Sequence, residues 1–200
     1  MLIGIIIPMI LVSLSPLSFR KYLALGAVAL GICCVSCFAE PLLLSVKSTP
    51  YDKQMNRIRP VLQTTARTQR DISLPIVNHW MEDLRAIPYG FSQEWKTPSE
   101  VKTALVADCK GKAVTLYEKM QTHGATNVRL VIGKRTPTSH RTHTWLVWET
   151  NTGSYVLDPT INWMALSRNE KVGERSYIPL YAYARNRKYR AVATTLLARN

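Results

Sequence analysis

Residues 106–124 read VADCKGKAVTLYEKMQTHG, and the parsing of the whole chain turns on this stretch. Ala113, Leu116, Tyr117 and Met120 recur at spacings of three and four, the period of one buried helical face, and Gly124 stops the pattern. Asp108-Cys109 opens this helix, with Cys109 in register with its buried face. In a first helical turn, unsatisfied backbone N–H groups and the positive end of the dipole stabilise a thiolate. The same N–H groups can hold an oxyanion.

Downstream of Gly124 the period falls to two. Runs over 128–132, 143–148 and 155–157, rich in Val, Leu, Trp and Tyr, read as strands separated by turn residues. His143, Trp145 and Val147 share one face, and Thr144, Leu146 and Trp148 the other. Asn151-Thr152-Gly153 is a turn. If Trp148 registers against Gly153, His143 comes directly opposite Asp158, within side-chain hydrogen-bonding reach. Thiol chemistry needs a base for the thiol proton, a carboxylate to orient the imidazole, and donors for a tetrahedral intermediate. Cys109, His143 and Asp158 are the candidates. His140 competes with His143 for the base but lies in the polar loop 136–142, whereas His143 enters the strand.

Upstream, Met55, Ile58, Val61 and Leu62 give a helical pattern over 53–70, interrupted or kinked near Pro60. A second helix over 75–86 carries Val77, Trp80, Met81 and Leu84 on one face, and Pro88-Tyr89-Gly90 stops it. Thr97-Pro98-Ser99-Glu100 combines a capping hydroxyl, proline at the first helical position and Glu three residues after the cap, so a short helix is expected to about residue 106.

The front of the chain differs in kind. Residues 1–39 hold no acidic residue and only two basic ones, Arg20 and Lys21, followed by an apolar run over 22–35 and small residues up to Ala39. That order is a secretory leader, with cleavage expected after Ala39. A second apolar run over 2–17 precedes the basic pair, so either the start lies further in, for example at Met9, or the two runs form a membrane hairpin. Cys34-Val35-Ser36 argues against lipid attachment at Cys37, because the first position lacks an aliphatic residue.

Three of the four cysteines, Cys33, Cys34 and Cys37, fall in this leader, which leaves Cys109 alone in the exported part. A lone thiol in an oxidising compartment is either a small buried hydrophobe or a reactive group. The leader holds two of the 26 basic residues and none of the 13 acidic ones, so the remainder stays near +11 and suits an anionic surrounding: headgroups, cell-wall polymer or acidic substrate. The cluster Arg185, Arg187, Lys188 and Arg190 reads as a solvated face. Tyr181, Tyr183 and Tyr189 give only a faint version of the aromatic interleaving that nucleic-acid binding requires, so a nucleic-acid partner is not expected. No metal cluster, phosphate-binding glycine loop or cofactor motif is visible in the sequence.

The ordered motifs carry a resemblance. Asp108-Cys109 opening a helix, His143-Thr144-Trp145 on a strand and Leu157-Asp158-Pro159-Thr160 closing the next resemble the transglutaminase core. Val77-Asn78-His79-Trp80, Tyr89, the run from Trp95 to Glu100, and Tyr177-Ile178-Pro179-Leu180-Tyr181 are similar to bacterial transglutaminase-like cysteine proteinases in particular. The resemblance implies a papain-like α+β fold, its cysteine-bearing helix packed on an antiparallel sheet that carries histidine and aspartate. It further implies acyl transfer through a thioester, and it makes Trp95 a candidate for shaping the cleft beside the oxyanion. The best understood members of that group are periplasmic proteases that clip surface adhesins, and some need calcium. Their cysteine is followed by acidic residues, whereas this chain has Lys110-Gly111-Lys112. Asp108 alone is a poor site for an ion that gathers six to eight oxygens, so no calcium, other metal or cofactor is expected. Lys110 and Lys112 would either favour the thiolate and receive an acidic substrate segment, or stand solvated.

The expected organisation is a leader or membrane anchor over 1–39, a helical extension over 40–75 and a transglutaminase-like domain over 76–200. The expected activity is cleavage of amide bonds in an envelope protein or peptide, with hydrolysis favoured over transamidation, by a monomer that is periplasmic or secreted. Membrane association through residues 1–39 is part of that expectation. A non-catalytic envelope module holding an anionic partner on its basic surface is the alternative.

Overall fold

The computed structural model describes residues 42–66, 72–168 and 177–192. The chain divides into two units, Met1–Phe38 and Ala39–Asn200, and all described residues belong to the second. The leader expected over 1–39 therefore lies outside them. No helix among the described residues is long and apolar enough to cross a membrane.

Among the described residues, seven antiparallel strands form one sheet: β1 (Leu42–Ser45), β2 (Val128–Lys134), β3 (His143–Thr150), β4 (Gly153–Leu157), β5 (Leu166–Ser167), β6 (Ile178–Ala184) and β7 (Arg187–Val192), in the order β1-β7-β6-β2-β3-β4-β5. Four helices accompany it: α1 (Asp52–Leu62), α2 (Leu74–Ala86), α3 (Pro98–Thr103) and α4 (Cys109–Thr122). The architecture is α+β, as the motifs imply. Alternation sorts the strands into two faces. Val128, Leu130, Ile132, Leu146, Trp148, Leu157 and Tyr183 join the helices in the main core, while Val131, Trp145, Val147, Val156 and Ala182 form a smaller cluster.

Helix α4 is the centre of the main core. It lies across β2 and β3 on one side and meets α1, α2 and α3 on the others. This explains why Ala113, Val114, Leu116, Tyr117 and Met120 are all fully buried, a wider apolar surface than one stripe. Outer helices contribute single faces, Met55, Ile58, Val61 and Leu62 from α1 and Val77, Trp80, Met81 and Leu84 from α2. Burying each such side chain contributes roughly 1.5–3 kcal/mol. The start of α3 is the expected capping box: Glu100 N–H donates to Thr97 Oγ1 at 3.5 Å, and Thr97 N–H returns a bond to Glu100 Oε2 at 2.7 Å. The Thr97 backbone N–H and hydroxyl, then Arg57, hold the Glu100 carboxyl down at about 2.

Several elements depart from expectation. Helix α1 ends at Leu62 with Pro60 inside its last turn, short of residue 70, and α3 ends at Thr103 because Ala104 is extended. A helical extension over 40–75 covers only part of what is there, since Leu42–Ser45 pairs with β7 as an edge strand of the main sheet. The basic cluster is not uniformly solvated: Arg185 turns the chain with φ 53°, Arg187–Val192 is a strand, and Lys188 Nζ pairs with Asp52 Oδ2 at 2.8 Å. Tyr183 is buried and Tyr181 packs edge-on to Tyr51, so neither forms a stacking face.

Gly133 sits where β2 and β6 shift register by one residue. A Cβ there would collide with the Ile178 carbonyl and lie 2.6 Å from Trp145 Cη2, so two rigid neighbours would have to move. Gly133→Ala is expected to cost at least about 2 kcal/mol, read as a lowered urea midpoint at unchanged m-value. A midpoint equal to wild type would show that the bulge relaxes freely.

Candidate active site

Asp108 is the N-cap of α4. Its Oδ1 accepts the Gly111 N–H at 3.0 Å, and its backbone carbonyl accepts the Lys112 N–H at 3.0 Å. Those two bonds take the third and fourth N–H groups of the helix. The N–H groups of Cys109 and Lys110 have no partner among the described residues, so two donors and the dipole remain directed at whatever lies before the first turn. Cys109, the free cysteine of the described residues, is 8% exposed: mostly covered, with access from one side.

Neither lysine beside it stands solvated. Lys110 Nζ pairs with Asp108 Oδ2, donates to the Ser92 carbonyl at 2.8 Å and sits 4.9 Å from the centre of the Phe91 ring. Asp108 Oδ2 also accepts the Ser92 N–H at 3.2 Å. Both carboxylate oxygens are thus occupied by the chain's own donors, with an internal ammonium among them. Lys112 is 2% exposed and donates to the carbonyls of Arg85 and Ile87 at 3.3 and 2.5 Å. A cation there meets the negative end of α2 and ties it to the first turn of α4. Burial, then repulsion from Arg85, lowers the Lys112 pKa against the opposing pull of Asp158. Committed to these bonds, the two lysines are not free to receive an acidic substrate.

The β3–β4 hairpin supplies the other groups, in a register two residues from the expected one. Thr150 pairs with Gly153 and Leu146 with Leu157, so the turn is the two-residue pair Asn151-Thr152. Short hairpin loops are favoured, and Thr150 Oγ1 closes this one by accepting the Thr152 N–H at 3.1 Å and donating to the Gly153 carbonyl at 3.0 Å. His143 consequently reaches Asp158 diagonally across the hairpin. Its Nε2 lies 2.7 Å from Asp158 Oδ2. With Nε2 so engaged, Nδ1 is the ring nitrogen left for the thiol. The imidazole also stacks on Trp145, with 6.2 Å between ring centres.

Asp158 is fully buried and receives two further donors. Tyr177 Oη donates to Oδ2 at 2.9 Å and the Thr160 N–H to Oδ1 at 3.0 Å, while Asn162 Nδ2 donates to Tyr177 Oη at 3.0 Å. Burial, then the Asp158 charge and hydrogen bond, pushes the Tyr177 phenol far up, so it stays a donor. Tyr177 and Asn162 were not singled out by sequence reasoning for any role. The signal for Asn162 is its position four residues after Asp158, and that for Tyr177 is its place at the start of the Tyr177–Tyr181 motif. For His143, burial lowers the pKa, but the hydrogen bond to Asp158, then that with Cys109 and both charges, outweigh it and raise the value to about 9. Cys109 is thus among the groups that raise the imidazole pKa.

Trp95 lies in the main core, 3% exposed, and His140 is exposed in its loop. Among the described residues no three His, Cys, Asp or Glu are grouped as a metal site would need.

Neither a protein-family model nor a curated protein sequence matches the chain. Among solved structures, EGTA-treated LapG of Legionella pneumophila is similar to it, with a TM-score of 0.51 at 13% identity over 75% of this chain and 86% of that one. A second structure of Legionella pneumophila LapG gives the same TM-score and identity, covering 75% and 84%. At such identity the likeness is one of fold, and it supports the fold-level part of the transglutaminase-like resemblance.

The His143 resonances followed by NMR should titrate near 9 and move toward the ordinary 6.5 in Asp158→Asn, which removes the leading upward influence. Because the folded value lies above the unfolded one, the stability from this charged imidazole is complete below about 6.5 and drains as pH rises through about 9. A titration at 6.5 in both proteins would contradict the geometry.

Proposed function

We propose that the chain is an exported thiol hydrolase that cleaves amide bonds in an envelope protein or peptide, with Cys109 as nucleophile, His143 as acid and base, and Asp158 orienting the imidazole. The observation that carries this reading is the His143–Asp158 bond of 2.7 Å, with Cys109, at a helix start with two open N–H donors, among the groups that raise the imidazole pKa.

The chemistry follows from those groups. Cys109 passes its proton to His143 Nδ1, and the thiolate sulfur attacks the amide carbonyl carbon. The oxyanion so formed accepts from the N–H groups of Cys109 and Lys110. Collapse breaks the C–N bond, the imidazolium proton leaves with the amine, and the acyl group stays on sulfur as a thioester. His143 then takes a proton from water, whose oxygen displaces the thiol and releases the acid. With its pKa raised to about 9, the imidazole retains near neutral pH the proton it has taken from Cys109, the state the leaving amine requires. Asp158, itself held by Tyr177, keeps the ring in one tautomer and orientation, and Trp95 belongs to the main core.

Export rests on the leader pattern of residues 1–39 and on the transglutaminase-like resemblance. Calcium has no part in the proposal, because Asp108, the acidic neighbour of the thiol, is already occupied by Lys110, Gly111 and Ser92.

Cell-envelope protein incubated with the chain should yield new N-termini by mass spectrometry, unchanged by EGTA and lost by at least about 10³-fold in Cys109→Ser or His143→Ala. Incorporation of an added primary amine without new N-termini would assign transamidation instead. Retention of an anionic partner by wild type and Cys109→Ser alike, with neither product, would assign a binding module.

A further inference from the structure

Two loops meet immediately before the nucleophile helix. Gly90 N–H donates to the Ala107 carbonyl at 3.3 Å, and Ala107 N–H donates to the Pro88 carbonyl at 3.0 Å, a single parallel bridge centred on Tyr89 and Ala107. Gly90 makes the approach close, since a Cβ there would lie 2.5 Å from Val106 Cγ2. In this pattern the residue between the two bonded ones directs its own N–H and C=O to the opposite side. Neither group of Tyr89 has a hydrogen-bond partner among the described residues. One residue of strand edge is therefore open, on a backbone held rigid by close packing.

The side chains around this edge are apolar and uncovered. Tyr89 is 58% exposed, Phe91 68%, Leu105 89% and Val106 39%, all within four residues of Asp108-Cys109 or bridged to them through Ala107. Large side chains of this kind gathered on one surface mark a contact site. Ala107, bridged to Tyr89, lies two residues before Cys109. Burial, then the charges of Cys109 and Asp108, raises the Tyr89 phenol pKa against the pull of Arg141. Lys110, the nearest cation on α4, is occupied by Asp108 and Ser92 and covers one face of Phe91.

We propose that the edge at Tyr89 is the substrate-binding strand of the enzyme: an extended peptide pairs with the Tyr89 N–H and C=O and places large apolar side chains against Phe91, Leu105 and Val106. This rests on Cys109 being the nucleophile. Main-chain pairing with a strand edge supplies affinity, and the flanking side chains supply selectivity. The substrate class is thus an unfolded or loop segment with apolar residues next to the scissile amide, not an acidic segment drawn in by the lysines.

The full chain is treated with a trileucyl chloromethyl ketone, its triasparaginyl counterpart of similar size, an N-methylated trileucyl version, and iodoacetamide, and the alkylation rate of Cys109 is read by mass spectrometry. In wild type the trileucyl reagent should react at least tenfold faster than the triasparaginyl one and tenfold faster than its N-methylated form. In the double variant Phe91→Ser, Leu105→Ser, both exposed positions, the Leu/Asn ratio should fall below about threefold while iodoacetamide reacts at the wild-type rate. A preference that survives the double variant, or an N-methylated reagent as fast as its parent, would overturn the proposal with the nucleophile intact. Slow reaction of iodoacetamide in wild type, unaffected by His143→Ala, would overturn the nucleophile and this inference with it. Peptide rates that fall as protein concentration rises would mean that a second copy covers the edge, which also overturns it.

Discussion

A fully buried carboxylate sets the terms for this molecule. Removed from water, Asp158 must be compensated by donors or carry a cost of several kcal/mol. His143 Nε2, Tyr177 Oη and the Thr160 N–H meet that demand from β3, β6 and the turn after β4. Satisfying one side chain therefore fixes the imidazole, the head of β6 and the exit of the hairpin together. The aromatic frame follows the same logic: Trp145 lies opposite Asp158 in the extended hairpin register and contacts both His143 and Tyr177.

Helix α4 brings the thiol to this assembly, and its own position is secured at the first turn. Asp108 closes the N-terminus while Lys110 ties it to Ser92, and Lys112 caps the end of α2 from within the core. Two cations that the sequence leaves free to act on a substrate are spent on structure. What remains open at the helix start is a pair of N–H groups and an apolar strand edge. In the proposed reading these become a polar reaction centre beside an apolar binding surface, the combination that an enzyme acting on a polypeptide backbone requires.

Much of this was legible in the sequence because it is local. The period of 106–124, the capping box at Thr97 and Glu100, and the alternation of β2, β3 and β4 each lie within one segment. The hairpin register was not, for a definite reason: a slip of two residues keeps every side chain on its own face, so the apolar pattern cannot distinguish the two pairings. His143 and Asp158 meet anyway, diagonally. Strand β7 reads as a solvated basic cluster because Arg187 and Arg190 stay exposed even though the strand pairs with β1 on one side and β6 on the other, and β1 is too short to show alternation. Lys112 was misread because its partners, the carbonyls of Arg85 and Ile87, come from 25 or more residues upstream. Tyr177 is visible only as part of a motif because its bond to Asp158 crosses the fold, and Asn162 carries no signal because its side chain acts through Tyr177.

The central claim is that the thiol of Cys109 acts through His143 as oriented by Asp158. It is tested most directly by the rate at which iodoacetamide alkylates Cys109 at neutral pH in wild type, His143→Ala and Asp158→Asn, with folding checked by circular dichroism. The account predicts rapid labelling in wild type and at least tenfold slower labelling in both variants. Equal rates in all three folded proteins would contradict it, leaving Cys109 a buried thiol that happens to begin a helix.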